Sequence, residues 1–556
     1  MATKVFGIDL GTTYSCIAYV DETERPVTVN NNEGDKTTPS VVYFESETNV
    51  CVGKVAKESA ELEPEKVVSF VKRSMGKDGF SFEYNDRYLT PEEVSAYILR
   101  KVAGDAAKNI GEEVANVVIT HPAYFGLKEK EATRRAGEIA GLNVVSLIPE
   151  PVAAAYTYGC MSEENNGKTI LVYDLGGGTF DVTMIHVTET EIEVICTGGD
   201  DNLGGYNWDQ VLIEHMASVI AEQTGFSKDE IFDDPEMCQI LQNKAEEAKK
   251  TLSSAEKARI SLNFNGEKAK FEVTLEEFDE MTSSLCESTI VMTKQLLEVA
   301  KEKGYDHFDS LLLVGGSTYM KQIERAIVNE FGMKPQLFDP NEAVAKGAAL
   351  FGNAEKNRLI EIKKQSGNGE QEFETDTEGL AQQELTDAER QLMEGITQEE
   401  VDTFVPKIGG VVREFTSVTS KSFGIVAINR NNEEKIYALI KSQTKLPVEV
   451  SEEFGTHQDN QESVLLRVFE STLDENEIDL DMGIEIGEVS MAIPAGLPAK
   501  SPIQVTFNLD KQGLLHVEGK EMTEYRTCNV DIEVRGGMSK AEIENAVAAS
   551  TSISVF

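Results

Sequence analysis

The sequence of 556 residues is poor in the side chains that build disulfides and metal sites. Its seven cysteines are odd in number, scattered and without a Cys-x-x-Cys pair, so they predict reduced thiols in a cytoplasmic protein. Its six histidines are neither paired at helical spacing nor placed beside cysteine, which disfavours a transition-metal site. No apolar run approaches the length of a membrane-spanning helix, and residues 1–4 lead directly into an apolar strand, so neither an anchor nor a targeting segment is expected.

Positive charge is also scarce. The chain has 52 Lys and Arg against 97 Asp and Glu, a formal net charge of -45. Because proteins bind nucleic acids by neutralising phosphates with Lys and Arg, direct nucleic-acid binding is not expected. The length predicts roughly three to four domain-sized units, and a hydrophobic content of 40% is sufficient for ordinary cores.

The most informative stretch is the glycine-rich segment from Asp174 to Asp181, which stands between two apolar runs predicted as strands. Three successive glycines lack β-carbons, so their N–H groups can close around a phosphate, and Thr179 adds a hydroxyl. Asp174 and Asp181 would repel phosphate unless a cation lies between them, and a hydrated Mg²⁺ is the usual solution. Taken alone, the segment could equally be a plain glycine-rich turn.

A second copy of this pattern favours the phosphate interpretation. Residues Asp9 to Tyr14 also lie between two apolar runs and place an aspartate at the same position, about 165 residues earlier. Two such units predict a duplicated half-domain with a cleft between the halves. A third glycine turn, from Gly315 to Thr318, follows another apolar strand and could close the cleft.

These motifs, and others in the same order, resemble the nucleotide-binding domain of the seventy-kilodalton heat-shock (Hsp70) chaperones. The resemblance implies an α/β, two-lobed, actin-like ATPase fold over residues 1–355, with ATP between the lobes. The other stretches that carry it are Val71 to Arg73, His121 to Phe125, Ala140 to Val144, Glu150 to Ala155, Leu203 to Gly205 and Glu246 to Ser254.

The resemblance also implies ATP and Mg²⁺ as cofactors and assigns site residues. Lys72 would reach the terminal phosphate, and Glu150 would sense the cation, although either could be an ordinary solvent-facing residue. Lys72, Asp174, Thr179 and Asp181 match family positions used in hydrolysis, but no catalytic role is assigned to them. Asp9, Asp174 and Asp181 would hold Mg²⁺, largely through water. The implied nucleotide-binding residues are Asp9, Gly11, Thr12, Thr13, Tyr14, Lys72, Glu150, Gly176, Gly177, Gly178, Thr179, Gly204, Gly205, Glu246, Lys249, Lys250, Ser253, Gly315, Gly316, Ser317, Tyr319 and Asn341.

Departures from the family pattern lie outside the phosphate turns. Lys250 and Tyr319 stand where the family has an arginine pair around adenine, and a lysine cannot stack as a planar guanidinium does. Other departures are Lys130, Pro149, Val152, Tyr206, Asn207 and Asn341. Neutral drift could explain them. The alternative that we favour is that they weaken nucleotide gating and interdomain coupling, so that hydrolysis is slow or absent.

An acidic linker is predicted at 356–405, because residues 361–400 hold twelve Asp or Glu against three Lys or Arg. Such a segment is expected to stay extended and mobile, with a short helix around residues 387–394. Alternating short strands then predict an antiparallel β-sandwich at 406–535, which resembles the family's peptide-binding domain. Its groove would be lined by Ile425, Ile428, Phe454, Val464 and Leu466, with His457 at its arch, although plain sandwich core is an equally good interpretation. A shortened C-terminal helix is predicted at 536–556, without the family's helical lid.

Together these features resemble one atypical, ribosome-associated branch of the family, the Ssz-type subunit of the fungal ribosome-associated complex. The resemblance implies a stable heterodimer with a zuotin-like J-domain protein, contact with the ribosome through that partner, and activation of a separate, conventional Hsp70 chaperone. ATP would then serve mainly as a structural ligand. The alternatives are a conventional, client-refolding ATPase and a small-molecule kinase of the same fold, of which the β-sandwich disfavours the kinase.

Overall fold

The computed structural model describes residues 3–160, 166–367, 385–404, 414–511, 513–523, 527–531, 538 and 540–556. The first lobe is built on a mixed sheet in which the hairpin Val5–Asp9 and Tyr14–Val20 lies at the centre. The first hairpin strand also pairs in parallel with Asn116–His121. The remaining strands of this sheet are Asn143–Pro149, Pro26–Thr28 and Thr38–Pro39.

A second, smaller sheet of the first lobe contains Val41–Ser46, Asn49–Val52 and Val67–Ser69, and a separate ribbon pairs Phe82–Tyr84 with Arg87–Leu89. The helices of this lobe are Lys54–Ser59, Pro91–Ile110, Leu127–Ile139 and Glu150–Cys160, with 3₁₀ turns at Pro64–Lys66 and Val71–Ser74. Helix Pro91–Ile110 begins with a proline in its first turn and a capping box formed by Thr90 and Glu93.

The second lobe repeats the central arrangement of the first. Hairpin Lys168–Leu175 and Phe180–Val187 is antiparallel, and its first strand pairs in parallel with Ser310–Val314. The sheet also contains Gln336–Leu337, Glu191–Asp200 and Glu414–Thr416, and a separate hairpin is formed by Lys257–Phe264 and Glu267–Thr274. The helices are Gly205–Thr224, Lys228–Phe232, Pro235–Leu252, Leu275–Met281, Ser283–Glu302 and Lys321–Phe331, with a 3₁₀ turn at Gly316–Tyr319. The duplicated strand–turn–strand unit therefore has the same topology in both sheets.

The segment that was expected to be an extended acidic linker is folded over much of its length. Helix Ala343–Gly367 runs into it, and two further helices follow at Asp387–Gly395 and Gln398–Thr403. Leu392, Ile396 and Val401 are buried in the same apolar cluster as strands of both lobes, and Arg358 pairs with Glu389. The short helix predicted around residues 387–394 is confirmed as Asp387–Gly395. The prediction of an extended segment is wrong for the rest of residues 385–404, because cationic and apolar partners on the long helix offset its charge. Residues 368–384 and 405–413 lie outside the described residues.

The C-terminal part of the chain contains the predicted antiparallel β-sandwich. One sheet orders Glu477–Ile478, Glu434–Ile440, Ser422–Ile428, Ser463–Ser471 and Gly483–Ala492, with a 3₁₀ turn at Leu480–Met482. The other orders Val448–Gly455, Pro502–Leu509, Leu515–Glu521 and Thr527–Asp531. Helix Lys540–Thr551 and a short strand, Ser554–Val555, follow and pack on the first lobe. Among the described residues, no helix has the length and apolarity needed to cross a membrane.

Candidate nucleotide-binding site

The two predicted glycine turns face each other across the cleft. A Cβ placed on Gly177 would lie 2.5 Å from Oγ1 of Thr13, and one on Gly178 would lie 2.6 Å from Oγ1 of Thr12. This approach is possible only because glycine carries no side chain at these two positions. The hairpins therefore bring both threonine hydroxyls and the backbone of both turns to one place, as the sequence predicts.

Two further loops pack behind the second turn. The N–H groups of Gly205 and Tyr206 donate to the carbonyl oxygens of Gly176 and Gly177, at 3.0 and 2.7 Å. The hydroxyl of Ser317 donates to the carbonyl oxygen of Gly176 at 2.8 Å. The glycine motifs that the sequence analysis found separately thus meet at one end of the cleft.

Three aspartates lie beside these turns. Asp174 and Asp181 are buried, and Oδ1 of Asp181 accepts the Tyr124 N–H at 3.0 Å. Oδ1 of Asp9 accepts the hydroxyl of Thr120 at 3.2 Å. Burial, and then the nearby charge of Glu150, raises the pKa of Asp181 to about 8 and that of Asp9 to about 7. The same causes, joined by the other two aspartates, raise the pKa of Asp174 well above its ordinary value.

Lys72 and Glu150 form a buried ion pair next to the aspartates. Both side chains are buried, so neither is the ordinary solvent-facing residue that the sequence left open as an alternative. The carboxyl groups of Asp9, Asp174, Asp181 and Glu150 lie near one lysine, Lys72, and their crowding adds to burial in raising the pKa values of the three aspartates.

This arrangement suits a hydrated divalent cation with phosphate. The protein supplies hard carboxylate oxygens in excess of its own positive charge, and such oxygens suit Mg²⁺. Among the residues that the structure describes, no group of three or more His, Cys, Asp or Glu side chains is placed to hold a metal ion directly. The aspartates would hold a hydrated cation beside the turns, and the backbone of the turns would hold the phosphates. The cation would supply the charge that keeps the carboxylates ionised beside an anion.

The predicted adenine end of the cleft contains a separate set of ion pairs, and several of its side chains are more exposed than those beside the phosphate turns. Glu246 forms ion pairs with Lys57 and Lys250 and accepts the hydroxyl of Tyr14 at 2.9 Å. Burial opposes the ionisation of Glu246, but both lysines together lower its pKa to about 2. Lys57 was missed in the sequence analysis, since nothing in its local sequence marks it. Lys250 also lies 4.7 Å from the centre of the Tyr14 ring.

The other residues assigned to the adenine end differ in their contacts and in their exposure to solvent. The side chain of Lys249 donates to Asp209 at 2.7 Å and to the carbonyl oxygen of Gly205 at 2.9 Å. Ser253 ends the same helix, where its hydroxyl donates to the carbonyl oxygen of Lys249. Tyr319 is 42% exposed, and Asn341 is also exposed.

Contacts between the lobes also close the cleft beside the phosphate turns. The ring of Tyr206 lies 4.9 Å from the ring of Phe70 and 4.5 Å from the guanidinium carbon of Arg73, and both partners belong to the first lobe. Lys77 pairs with Asp201 at 2.8 Å. Tyr206, noted above as a departure from the family pattern, therefore packs across the cleft.

Comparison with known proteins agrees with this geometry. The family model described as Hsp70 protein matches residues 5–81, 77–363 and 412–554, which is most of the chain. Chaperone protein DnaK from two strains of Halobacterium salinarum is 34% identical over 549 residues, covering 97% of this chain and 77% of the relative.

The chain belongs to the Hsp70 family. Hsp70 proteins are chaperones that bind ATP with Mg²⁺, and the two glycine turns supply groups suited to both.

In this Hsp70 chain, the residues predicted to line the peptide groove differ in how far they are exposed to solvent. Ile425 and Leu466 are buried in the sandwich core with Phe507 and Val468. Phe454 and Val464 are half-buried, whereas Ile428 is 42% exposed and His457 is exposed. For Ile425 and Leu466 the structure favours the plain core interpretation, while Ile428 and His457 remain available on the surface.

The sandwich of this Hsp70 chain contacts the nucleotide-binding lobes directly. Glu470, which is buried, accepts the N–H of Leu127 at 3.1 Å at the start of helix Leu127–Ile139. The side-chain amide of Gln443 exchanges two hydrogen bonds with the backbone of Thr197, at 2.9 and 2.7 Å. Lys421 lies 3.9 Å from the centre of the Tyr124 ring. The sequence predicts weak coupling between the domains and gives no sign of these contacts, because each contact joins residues that are far apart in the chain.

Proposed function

We propose that this chain is an atypical Hsp70 subunit for which ATP is mainly a structural ligand. It would form a stable heterodimer with a zuotin-like J-domain protein, reach the ribosome through that partner, and assist cotranslational folding by activating a conventional Hsp70 chaperone. The main support for this proposal is a contrast between the two ends of the cleft. The phosphate end keeps its buried carboxylates and glycine turns, whereas Lys250 and Tyr319 replace the planar cations at the adenine end. We place the complex in the cytoplasm.

Two arguments support slow turnover. Lys72, the residue expected to reach the terminal phosphate, is held by Glu150 in a buried pair. Tyr206, Phe70 and Arg73 pack across the cleft mouth and would hinder the opening that product release requires. A nucleotide that is retained can hold the two lobes together without being consumed.

The first experiment measures thermal unfolding of the purified protein with and without MgATP. A ligand that binds only the folded state stabilises it by RT ln(1 + [L]/Kd), which is about 2.7 kcal/mol at a hundredfold excess over Kd. We expect a clear rise in Tm with MgATP and a smaller rise with ATP and a chelator. No rise with either would contradict nucleotide binding itself.

A conventional ATP-hydrolysing chaperone is the second candidate. The 34% identity to DnaK over 97% of the chain favours it, as do Asp174, Thr179 and Asp181, which match family positions used in hydrolysis. Single-turnover hydrolysis with and without a J-domain protein separates the two candidates, with Asp174→Asn as the blank. Strong stimulation by the J-domain protein would favour the conventional chaperone, and slow, unstimulated hydrolysis would favour the structural role.

The partner proposal has its own test. We expect a J-domain protein to co-purify with the chain in a one-to-one complex that survives gel filtration. The net charge of -45 predicts that the isolated chain does not sediment with ribosomes, whereas the complex does. Sedimentation of the isolated chain with ribosomes would contradict delivery by a partner.

A further inference from the structure

Residues 540–556 fold back onto the first nucleotide-binding lobe, and nothing in the proposed function requires this. We propose that this segment, named here the latch, fastens the β-sandwich to that lobe, so that the docked arrangement persists whether or not nucleotide is bound. The proposal is independent of the proposed function, since it concerns only contacts within the chain.

The first support is a backbone pairing. Ser554–Val555 adds a parallel strand to Asn49–Val52, which would otherwise be an edge of its sheet. The N–H of Ser554 donates to the carbonyl oxygen of Thr48 at 2.9 Å, and the N–H of Phe556 donates to that of Val50 at 3.2 Å. The N–H of Val52 donates in return to the carbonyl oxygen of Phe556 at 3.0 Å. An edge strand presents such groups to any strand that can reach them, and here the chain's own residues use them.

The second support is apolar packing on both sides of this pairing. Ala546 of helix Lys540–Thr551 is buried against Ala96 and Ile139, which belong to two helices of the first lobe. Ile553 is only 5% exposed and lies in the main core cluster of that lobe. Burying an isoleucine side chain removes apolar surface from water, so apolar packing anchors the latch in addition to its hydrogen bonds.

The third support is Arg100, which fixes the turn between the helix and the strand of the latch. Its guanidinium donates to the carbonyl oxygens of Ser550 and Ile553, the latter at 3.0 Å, and to the hydroxyl of Ser550 at 3.1 Å. Because Ser550 belongs to the last turn of the latch helix, the charge of Arg100 also complements the negative end of the helix dipole.

Covalent continuity converts this anchor into a restraint on the sandwich. The last described strand of the sandwich ends at Asp531, and the latch helix begins at Lys540. Nine steps along the chain span at most about 30 Å, so the sandwich stays near the first lobe while the latch is bound. The direct contacts of Glu470, Gln443 and Lys421 then re-form at a high effective concentration whenever they open.

The experiment uses the full chain and the variant Ser554→Pro, which removes the N–H that donates to Thr48. Small-angle scattering without nucleotide measures the radius of gyration, expected near about 24 Å for a compact chain of this length. We expect the wild type to remain compact with and without MgATP. We expect Ser554→Pro to expand without nucleotide and the Val52 amide to exchange hydrogen at least tenfold faster in it.

Ser554→Ala is the matched control, because it keeps the N–H and alters only an exposed side chain. Arg100→Ala is the second variant and should expand in the same way as Ser554→Pro. Slow exchange in helix Pro91–Ile110 verifies that the first lobe remains folded in each variant. If Ser554→Pro stays as compact as the wild type, the latch does not hold the domains together, and this holds even if the Val52 amide exchanges faster. Fast exchange at Val52 in the wild type would also overturn the proposal.

Discussion

The phosphate site and the interdomain contact both bury carboxylates, but they compensate the charge in different ways. At the phosphate site, Asp9, Asp174 and Asp181 share one lysine, and their pKa values rise as a result of burial and of Glu150. At the interdomain contact, Glu470 accepts a backbone N–H at the start of a helix, where the helix dipole favours negative charge.

This difference indicates what each region needs from outside the chain. At the candidate phosphate site, the raised pKa values of the aspartates oppose their ionisation, and a bound cation would favour it. The stability of this site should therefore depend on ligand. At the interdomain contact, burial and then Glu129 raise the pKa of Glu470, and the Leu127 N–H, Lys421 and Lys130 offset part of this rise from within the chain. This contact should therefore respond to pH and substitution but not to Mg²⁺.

The largest effect is expected for Lys72→Ala. This change leaves Glu150 buried without its partner, and breaking a buried ion pair costs about 3–5 kcal/mol. We expect the free energy of unfolding of the nucleotide-free protein to fall by that amount in denaturant titrations. The double variant Lys72→Ala and Glu150→Gln should recover most of the loss. A change below about 1 kcal/mol for the single variant would mean that the pair is not desolvated as the structure has it.

Asp174→Asn should act on ligand dependence rather than on the fold. The variant removes a buried carboxyl group whose ionisation burial and the neighbouring carboxyl groups oppose, so without nucleotide we expect it to be at least as stable as the wild type. The stabilisation by MgATP, about 2.7 kcal/mol at a hundredfold excess over the wild-type Kd, should be lost. Exposed Glu189→Gln removes a charge from the same lobe and serves as the control. Retained stabilisation in Asp174→Asn would show that the cation does not need this carboxylate.

Glu470 makes the interdomain contact sensitive to pH. Burial, and then the charge of Glu129, raises its pKa to about 7. Between pH 4.5 and 7 the folded state therefore holds a proton that the unfolded state has released, so stability falls as pH rises through this window. One such group accounts for about 2 kcal/mol between pH 5.5 and 7.5.

The measurement is the free energy of unfolding against pH for wild type and Glu470→Gln. The glutamine oxygen can still accept the Leu127 N–H but carries no charge, so the curve of the variant should be flatter by about that amount. Exposed Glu462→Gln, just before the strand Ser463–Ser471 that carries Glu470, is the matched control. Parallel curves for the wild type and Glu470→Gln would refute the assignment, whatever the other carboxylates contribute.

The sequence predicts the two strand–turn–strand units of the cleft well because local signals determine them. Each glycine turn follows a buried strand, and the pairing of Asp174 with Asp181 follows from the length of the turn. The duplicated aspartate then suggests a second hairpin, which is found at Val5–Asp9 and Tyr14–Val20. The sandwich strands were predictable for the same reason, since alternation of apolar residues is a local pattern.

The sequence does not show which charged groups are paired with residues that lie far away in the chain. The charge of residues 385–404 predicts an extended linker, yet Arg358 and Lys356 neutralise Glu389 and Glu400 from a helix that lies earlier in the chain. Likewise, no local pattern marks Glu470 as a partner of Leu127, 343 residues away. Such pairs depend on the packed fold, so composition alone gives the wrong expectation for them.

The smallest effect is expected at the adenine end, and it tests how unequal the two ends of the cleft are. Tyr319 is 42% exposed, so its ring can contribute only part of the stacking energy of a buried aromatic, about 1 kcal/mol. We expect Tyr319→Ala to weaken MgATP binding by roughly fivefold in calorimetric titrations and Tyr319→Phe to leave it unchanged. Magnesium tripolyphosphate, which has no base, should bind Tyr319→Ala and wild type equally well. A loss beyond about a hundredfold in Tyr319→Ala would mean that adenine, and not the phosphate turns, supplies most of the binding free energy.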